Sequence, residues 1–273
     1  MTSVPLWYAF QVAHYRQYER FSGPPPISYD LTLRALDSKL FVIRADLGQS
    51  APRDYRLDVP AMRGFEGIEF RKPVTFFVGE NGSGKSTIIE ALAVAAGFNE
   101  EGGSKNFRFE TVRRDEESER PLFFHLIRSA RYPSDGYFLR AESFFNVATE
   151  IDRLGVTRGY GGVSLHEQSH GEAFLALLVN RFLGDGLYIL DEPEAALSPA
   201  RQLALLARIH ELVKRGSQFL IATHSPIVMA YPDATILLLD DGIREVAYEE
   251  TDHYLVTRDF LNHRKKMLDE LMS

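Results

Sequence analysis

Gly79-Glu80-Asn81-Gly82-Ser83-Gly84-Lys85-Ser86 lies between the apolar run Pro73-Val74-Thr75-Phe76-Phe77-Val78 and the helix-like Thr87-Ile88-Ile89-Glu90-Ala91-Leu92-Ala93-Val94. Strand, glycine-rich loop and helix in that order make a phosphate-binding loop, and its ligand is a nucleoside triphosphate. Glycines let the chain curl so that successive N–H groups face phosphate oxygens, and the helix adds the positive end of its dipole. Lys85 reaches the terminal phosphates, and Ser86 can place its hydroxyl on Mg²⁺. The candidate cofactor-binding set here is Gly79, Glu80, Asn81, Gly82, Ser83, Gly84, Lys85, Ser86 and Thr87.

The 273 residues are 45% apolar and 25% charged, enough to bury one large α/β core. A formal net charge of −7 argues against a broadly basic nucleic-acid coat, though a local positive groove is compatible with it. The chain has no cysteine, which removes disulfides, thiolate zinc sites and thiol nucleophiles together. No stretch approaches the roughly 20 apolar residues needed to cross a bilayer, and the start of the chain lacks a basic leader. A soluble protein is expected, with ATP dependence pointing to the cytoplasm and any membrane role left to a separate subunit.

Residues 1–37, aromatic-rich and broken by Gly23-Pro24-Pro25-Pro26, read as an extension without an assigned role. From Lys39 to Phe70, short β-rich runs separated by Gly48, Pro52, Pro60 and Gly64 predict a small antiparallel lobe. The segment from Gly97 to about Arg131, with Asp115-Glu116-Glu117, reads mainly as exposed loop and helix surface, and a helical insertion is expected over about 98–175. Gly136 to Glu142 predicts a strand, Ser143-Phe144-Phe145-Asn146 a helix start, and Ala173, Leu177, Leu178 and Phe182 the buried face of another helix. Two apolar strands, Leu187 to Leu190 and Gln218 to Thr223, flank a helix carrying Leu203, Leu206, Ile209, Leu212 and Val213. Alternating strands and helices imply a mainly parallel sheet whose ligand site lies at the C-terminal ends of its strands.

Asp191-Glu192 closes the first of those strands. Two adjacent carboxylates at the end of an apolar strand are costly unless a cation, water or donors meet them. Asp191 can hold the Mg²⁺ hydration shell, and Glu192 can polarise a water for attack on a γ-phosphate. Candidate catalytic residues from these motifs are therefore Glu192 and Lys85; candidate metal ligands are Ser86 and Asp191.

With these elements in order, the chain resembles the ABC-type ATPases. Asp191-Glu192-Pro193-Glu194-Ala195-Ala196-Leu197-Ser198 is similar to their Walker B and D-loop, Gln168-Ser169-His170-Gly171-Glu172 to a divergent signature, and His224, at the end of the next strand, to the switch histidine, which implies a third catalytic candidate that holds phosphate and water in line while Glu192 serves as base. The resemblance spans Val74 to about Pro226 and implies a P-loop NTPase fold: a mainly parallel sheet, a small antiparallel β lobe and a helical signature subdomain, in a domain covering 38–273. It implies that Ser169, His170, Gly171 and Glu172 contact ATP held by a second subunit, so that ATP binding forms a homodimer. His170 and Glu172 replace the family's glycine and glutamine. No glutamine lies between Lys85 and Gln168, which leaves Glu142 as the candidate for the family's metal- and water-contacting Q-loop residue. These departures resemble the SMC/RecF-like branch and a group of small predicted bacterial ATPases. Too few residues separate Lys85 from Ser169 for long coiled-coil arms, and too few follow His224 for a nuclease domain. The function so implied is an ATP-dependent dimerisation switch acting on nucleic acid or an effector partner; the alternative is the nucleotide-binding subunit of a membrane transporter. A third reading from the same loop is a small-molecule phosphotransferase. Arg113-Arg114, Arg128, Arg131 and Arg264-Lys265-Lys266 are candidate nucleic-acid phosphate contacts.

Overall fold

The computed structural model describes residues 29–48, 59–104, 124–153, 155, 164, 166 and 169–273. Its centre is β3 (Val74–Val78), buried along its whole length because neighbours flank it on both sides. The large sheet runs β5-β6-β7-β3-β8-β9, with β5 at Asp135–Arg140, β6 at Gly186–Asp191, β7 at Gln218–Ala222, β8 at Thr235–Asp240 and β9 at Gly242–Val246. All neighbours are parallel except β8 and β9, an antiparallel hairpin turning at Asp241-Gly242.

Period-two alternation sends successive side chains of each strand into different cores. Phe76, Leu139, Tyr188 and Ile221 face one cluster, which α4 (His170–Arg181) fills with Phe174, Leu177 and Leu178 and α5 (Pro199–Lys214) with Leu205, Ile209 and Leu212. Phe77, Phe138, Ile189 and Leu220 face the other, where α2 (Lys85–Ala96) contributes Ile88, Ile89 and Leu92. A second sheet covers α2: three antiparallel strands in the order β2-β1-β4, at Ile68–Glu69, Val42–Leu47 and Phe124–Arg128. Gln218 fastens the two sheets. Its buried amide oxygen accepts from Phe41 N (2.9 Å) and Val42 N (3.0 Å), and its nitrogen donates to Val42 O (2.9 Å).

Three stretches differ from expectation. Tyr29–Asp37, inside the expected extension, is helix α1; Leu31 and Ala35 pack on the small-sheet core, and Arg34 pairs with Glu69 at 3.0 Å. Residues 1–28 lie outside the described part. The third strand of the small lobe, β4, comes from the segment read as exposed surface; Phe124 and Ile127 are buried there while His125 and Arg128 are exposed. Over 98–175, expected as a helical insertion, the chain supplies β4 and the edge strand β5 as well as α3 (Phe144–Arg153).

Candidate functional site

The C-terminal ends of the parallel strands gather the predicted chemistry. Arg140 stands in register with Asp191, and Asp191 with Ala222, so the ends of β5, β6 and β7 meet on one edge beside the loop that follows β3. That loop needs its glycines for different reasons. Gly79, Gly82 and Gly84 all have positive φ (152°, 82° and 104°). A Cβ on Gly79 would also lie 2.3 Å from the Leu239 carbonyl oxygen, whereas one on Gly82 would meet nothing.

Lys85 is buried, and its Nζ donates to the carbonyls of Gly79 (2.8 Å) and Glu80 (2.9 Å), folding back over its own loop. Burial pulls its pKa down, against the attraction of Glu192, Asp191 and Glu80. Ser86 Oγ donates to Asp191 Oδ1 at 3.2 Å. Burial pushes Asp191 up to about 6, helped by repulsion from Glu192 and Glu142 and opposed by Arg140. A buried carboxylate facing a serine hydroxyl, with its charge destabilised, is a set of hard oxygen donors suited to Mg²⁺. The buried Ser83 hydroxyl has no hydrogen-bond partner among the described residues, which also fits a loop built to meet phosphate oxygens.

Glu192 sits just past the strand in the left-handed region (φ 50°), its N–H donating to Ala222 O at 3.0 Å. Its Oε1 lies 3.4 Å from His224 Nε2. The structure thus brings together Lys85, Ser86, Asp191, Glu192 and His224. Glu142 is 87% exposed at its side chain and pairs with Arg140 at 3.6 Å. It comes near enough to Asp191 to raise it, but its partner is the arginine.

The signature residues are engaged elsewhere. Ser169 caps α4: its N–H (3.1 Å) and Oγ (2.6 Å) both donate to Glu172 Oε2, whose other oxygen meets Arg201 at 3.3 Å. These bonds hold Glu172 below its ordinary pKa. Gly171 is required by close approach, since a Cβ there would lie 2.8 Å from Ala196 O and 2.4 Å from Arg201. His170 lies at the start of α4, its side chain outside the described part, as is Gln168.

Sequence reasoning missed four participants. Arg140 bridges Glu90 (3.0 Å), Glu142 (3.6 Å) and Asp191 (3.9 Å). Glu194 Oε1 accepts from the N–H groups of His224 (2.6 Å) and Ser225 (3.2 Å), clamping the loop that carries the histidine. Gln202 Oε1 accepts from Ser225 Oγ at 2.6 Å. His253, at the start of the last helix, places Nε2 3.1 Å from His224 Nδ1. Arg140 and Glu194 stood in quoted motifs, where their charge next to a site was a usable signal; nothing local marked His253.

Among the surface cations, Arg131 pairs with Asp185 at 2.5 Å and lies over Phe41, a structural role. Arg128 donates to Ala95 O at 3.2 Å, and Lys266 lies 3.9 Å from Glu270. Arg113-Arg114 fall outside the described residues. No helix among the described residues is long and apolar enough to cross a membrane.

Residues 59–150 match the family described as "AAA domain" and residues 140–230 the one described as "AAA domain, putative AbiEii toxin, Type IV TA system". The thiamine import ATP-binding protein ThiQ of Rhizobium meliloti (strain 1021) is 31% identical over 205 residues, covering 69% of this chain and 83% of that protein. The DNA repair protein RAD50 of Saccharomyces cerevisiae is 52% identical over 46 residues, 15% of this chain and 4% of that protein. An SMC head domain from Thermotoga maritima overlays with a TM-score of 0.40 and 18% identity, covering 76% of this chain and 98% of that one.

Proposed function

The chain belongs to the ABC-type P-loop ATPases and hydrolyses ATP to ADP and phosphate, and from that premise we propose that it is an ATP-gated dimerisation switch. The carrying observation is a division of groups: Lys85, Ser86, Asp191, Glu192 and His224 converge on one edge, while Ser169 bonds to Glu172 and to none of them. A second copy supplies what the first lacks, its Ser169 hydroxyl and α4 N-terminus facing the γ-phosphate across the interface.

Within each pocket, Lys85 exchanges the carbonyls of Gly79 and Glu80 for phosphate oxygens. Ser86 and Asp191 would hold Mg²⁺, which would neutralise phosphate charge. Glu192 takes the proton of the attacking water, and His224 donates from Nε2 to keep phosphate and water in line. Opening after hydrolysis is read by a nucleic acid or an effector protein in the cytoplasm. Light scattering with a nonhydrolysable ATP analogue and Mg²⁺ tests the proposal: a dimer is expected, and a monomer at saturating analogue would refute it.

The likeness to a thiamine import ATP-binding protein favours a second reading, a subunit that drives a membrane transporter. Against it stands Arg140 with Glu142 at the end of β5, where no glutamine is available to couple nucleotide state to transmembrane helices. A membrane-spanning partner that co-purifies in detergent would reverse the order of the two.

A further inference from the structure

His253 belongs to none of the sequence motifs, yet its ring reaches the centre of the site. It is the second residue of α6 (Asp252–Leu271), a helix with no buried residue of its own. Its position is fixed from behind. Thr251 is fully buried and caps α6, its Oγ1 accepting from Tyr254 N (3.4 Å) and donating to Tyr248 O (2.8 Å). The Tyr248 hydroxyl in turn donates to Pro226 O at 2.8 Å, on the loop just after His224. The start of α6 is thereby tied to the segment that carries the switch histidine.

The two rings lie with centroids 5.3 Å apart and planes inclined at 54°, and a single nitrogen of each faces the other at 3.1 Å. Between two neutral imidazoles such a contact holds one proton, and which ring owns it fixes the tautomer of both. The other side of His224 is compatible with one direction. Its Nε2 lies 3.4 Å from the carboxylate of Glu192, which only accepts. A hydrogen on Nε2 suits that neighbour, and it leaves Nδ1 of His224 as the bare acceptor for a hydrogen on Nε2 of His253.

We propose that His253 is a positioning residue: by donating to Nδ1 of His224 it selects the Nε2–H tautomer that His224 needs to donate to the γ-phosphate. Burial lowers the pKa of both rings, as does nearby Lys85, so both are held neutral; Glu80 and Asp252 act in the opposite sense on His253, and Glu192 and Glu80 on His224. A charged His253 would still donate, but a charged His224 could not accept. The value of a neutral pair is that it leaves one choice of tautomer.

This inference rests on the reading of His224 as the γ-phosphate donor, and two measurements keep them apart. Two-bond ¹H–¹⁵N correlation spectra of the full chain labelled at histidine, without nucleotide, report the tautomer directly. Wild type should show His224 with its proton on Nε2; a proton on Nδ1 overturns the proposal without any variant. His253→Gln, whose amide nitrogen can reach the same place, should keep that tautomer and near-wild-type kcat. His253→Phe should give a mixture of tautomers and lower kcat roughly tenfold with little change in KM for ATP, the scale of losing an orienting hydrogen bond. If the Phe variant keeps the Nε2–H form and full turnover, or the Gln variant loses as much as the Phe variant, His253 does not position His224. An unchanged kcat in His224→Ala would instead sink the role of His224, leaving the tautomer result to stand by itself.

Discussion

Glu192→Gln separates ATP binding from ATP hydrolysis, and the structure states how cleanly. The backbone of residue 192 is held at φ 50° with its N–H on Ala222 O at 3.0 Å, and glutamine, with the same chain length, meets the same strain as glutamate. Its amide oxygen can still accept from His224 Nε2, now 3.4 Å from Oε1. The side chain is 41% exposed, so stability should change by no more than about 0.5 kcal/mol. Electrostatically the loss is tolerable: Glu192 is the foremost of the charges that sustain the Lys85 ammonium, but Asp191, Glu80 and Glu194 remain, and the repulsion on Asp191 falls. The site thus becomes less negative for an anionic ligand, and KM for ATP should stay level or drop. Turnover, by contrast, should fall by about 10²–10⁴, the usual contribution of a general base. If hydrolysis opens the closed dimer, as proposed, its lifetime should lengthen by the same factor. Phosphate release gives the first quantity and size-exclusion chromatography with light scattering in Mg²⁺-ATP the second. A variant that remains monomeric at saturating ATP would refute the switch, and one that hydrolyses it within roughly tenfold of wild type would refute the base.

Mixing Lys85→Ala with Ser169→Ala tests the shared pocket: each is inactive alone, but an isologous mixed dimer keeps one intact site, so a 1:1 mixture should recover about a quarter of wild-type turnover. No recovery, with mixed dimers demonstrated, would show that Ser169 acts within its own chain or not at all. Glu172→Gln removes the carboxylate that holds the Ser169 hydroxyl and should lower the ATP concentration for half-maximal dimerisation a few-fold, as fits one exposed charge; a rise would mean that the cap matters more than the charge. In Asp135→Asn, the bonds from Tyr188 Oη (2.7 Å), Arg181 (2.7 Å) and Leu183 N (3.0 Å) lose their anion, and urea melts at pH 7 should show a loss of about 3 kcal/mol. Burial alone would raise the Asp135 pKa, but those partners outweigh it and hold it low. Its stabilisation is therefore present above the unfolded carboxyl value, about pH 4, and is lost as pH falls through the lower folded one, so the gap between wild type and variant should close in acid.

What the sequence disclosed followed from chain-local physics. β3, β6 and β7 are short, mainly apolar runs, the composition of strands buried on both faces. Lys85, Ser86, Asp191 and Glu192 sit at or beside the ends of α2 and β6, in motifs whose chemistry is written in adjacent residues. Partners set by tertiary packing were silent. Gln218 reads as an ordinary polar strand start, yet its amide substitutes for a missing neighbour along β1. β4 has only two buried apolar positions among charges, too short a period to stand out from surface. Glu194 is one residue from a proline in an acidic run, and only the return of the chain at His224 turns it from a surface charge into the acceptor for two backbone amides.

The cap on α4 has a consequence for the switch. Glu172 closes a capping box with Ser169, stabilising the helix end and occupying the very hydroxyl that the dimer reading assigns to the partner's phosphate. A carboxylate at that end also repels a triphosphate, and Arg201, 3.3 Å away, answers only part of its charge. Under that reading, closure requires Ser169 to change acceptors and Glu172 to lean further onto Arg201, a cost met only when ATP, Mg²⁺ and both subunits are present. The free subunit is then held open by its own helix cap, and the pocket edge, with Lys85 bonded to its own loop and Arg140 reaching toward Asp191, is likewise satisfied without nucleotide. Two resting contacts, one on each side of the interface, must therefore be exchanged together, which makes the response to ATP cooperative between subunits and leaves a lone chain a poor ATPase.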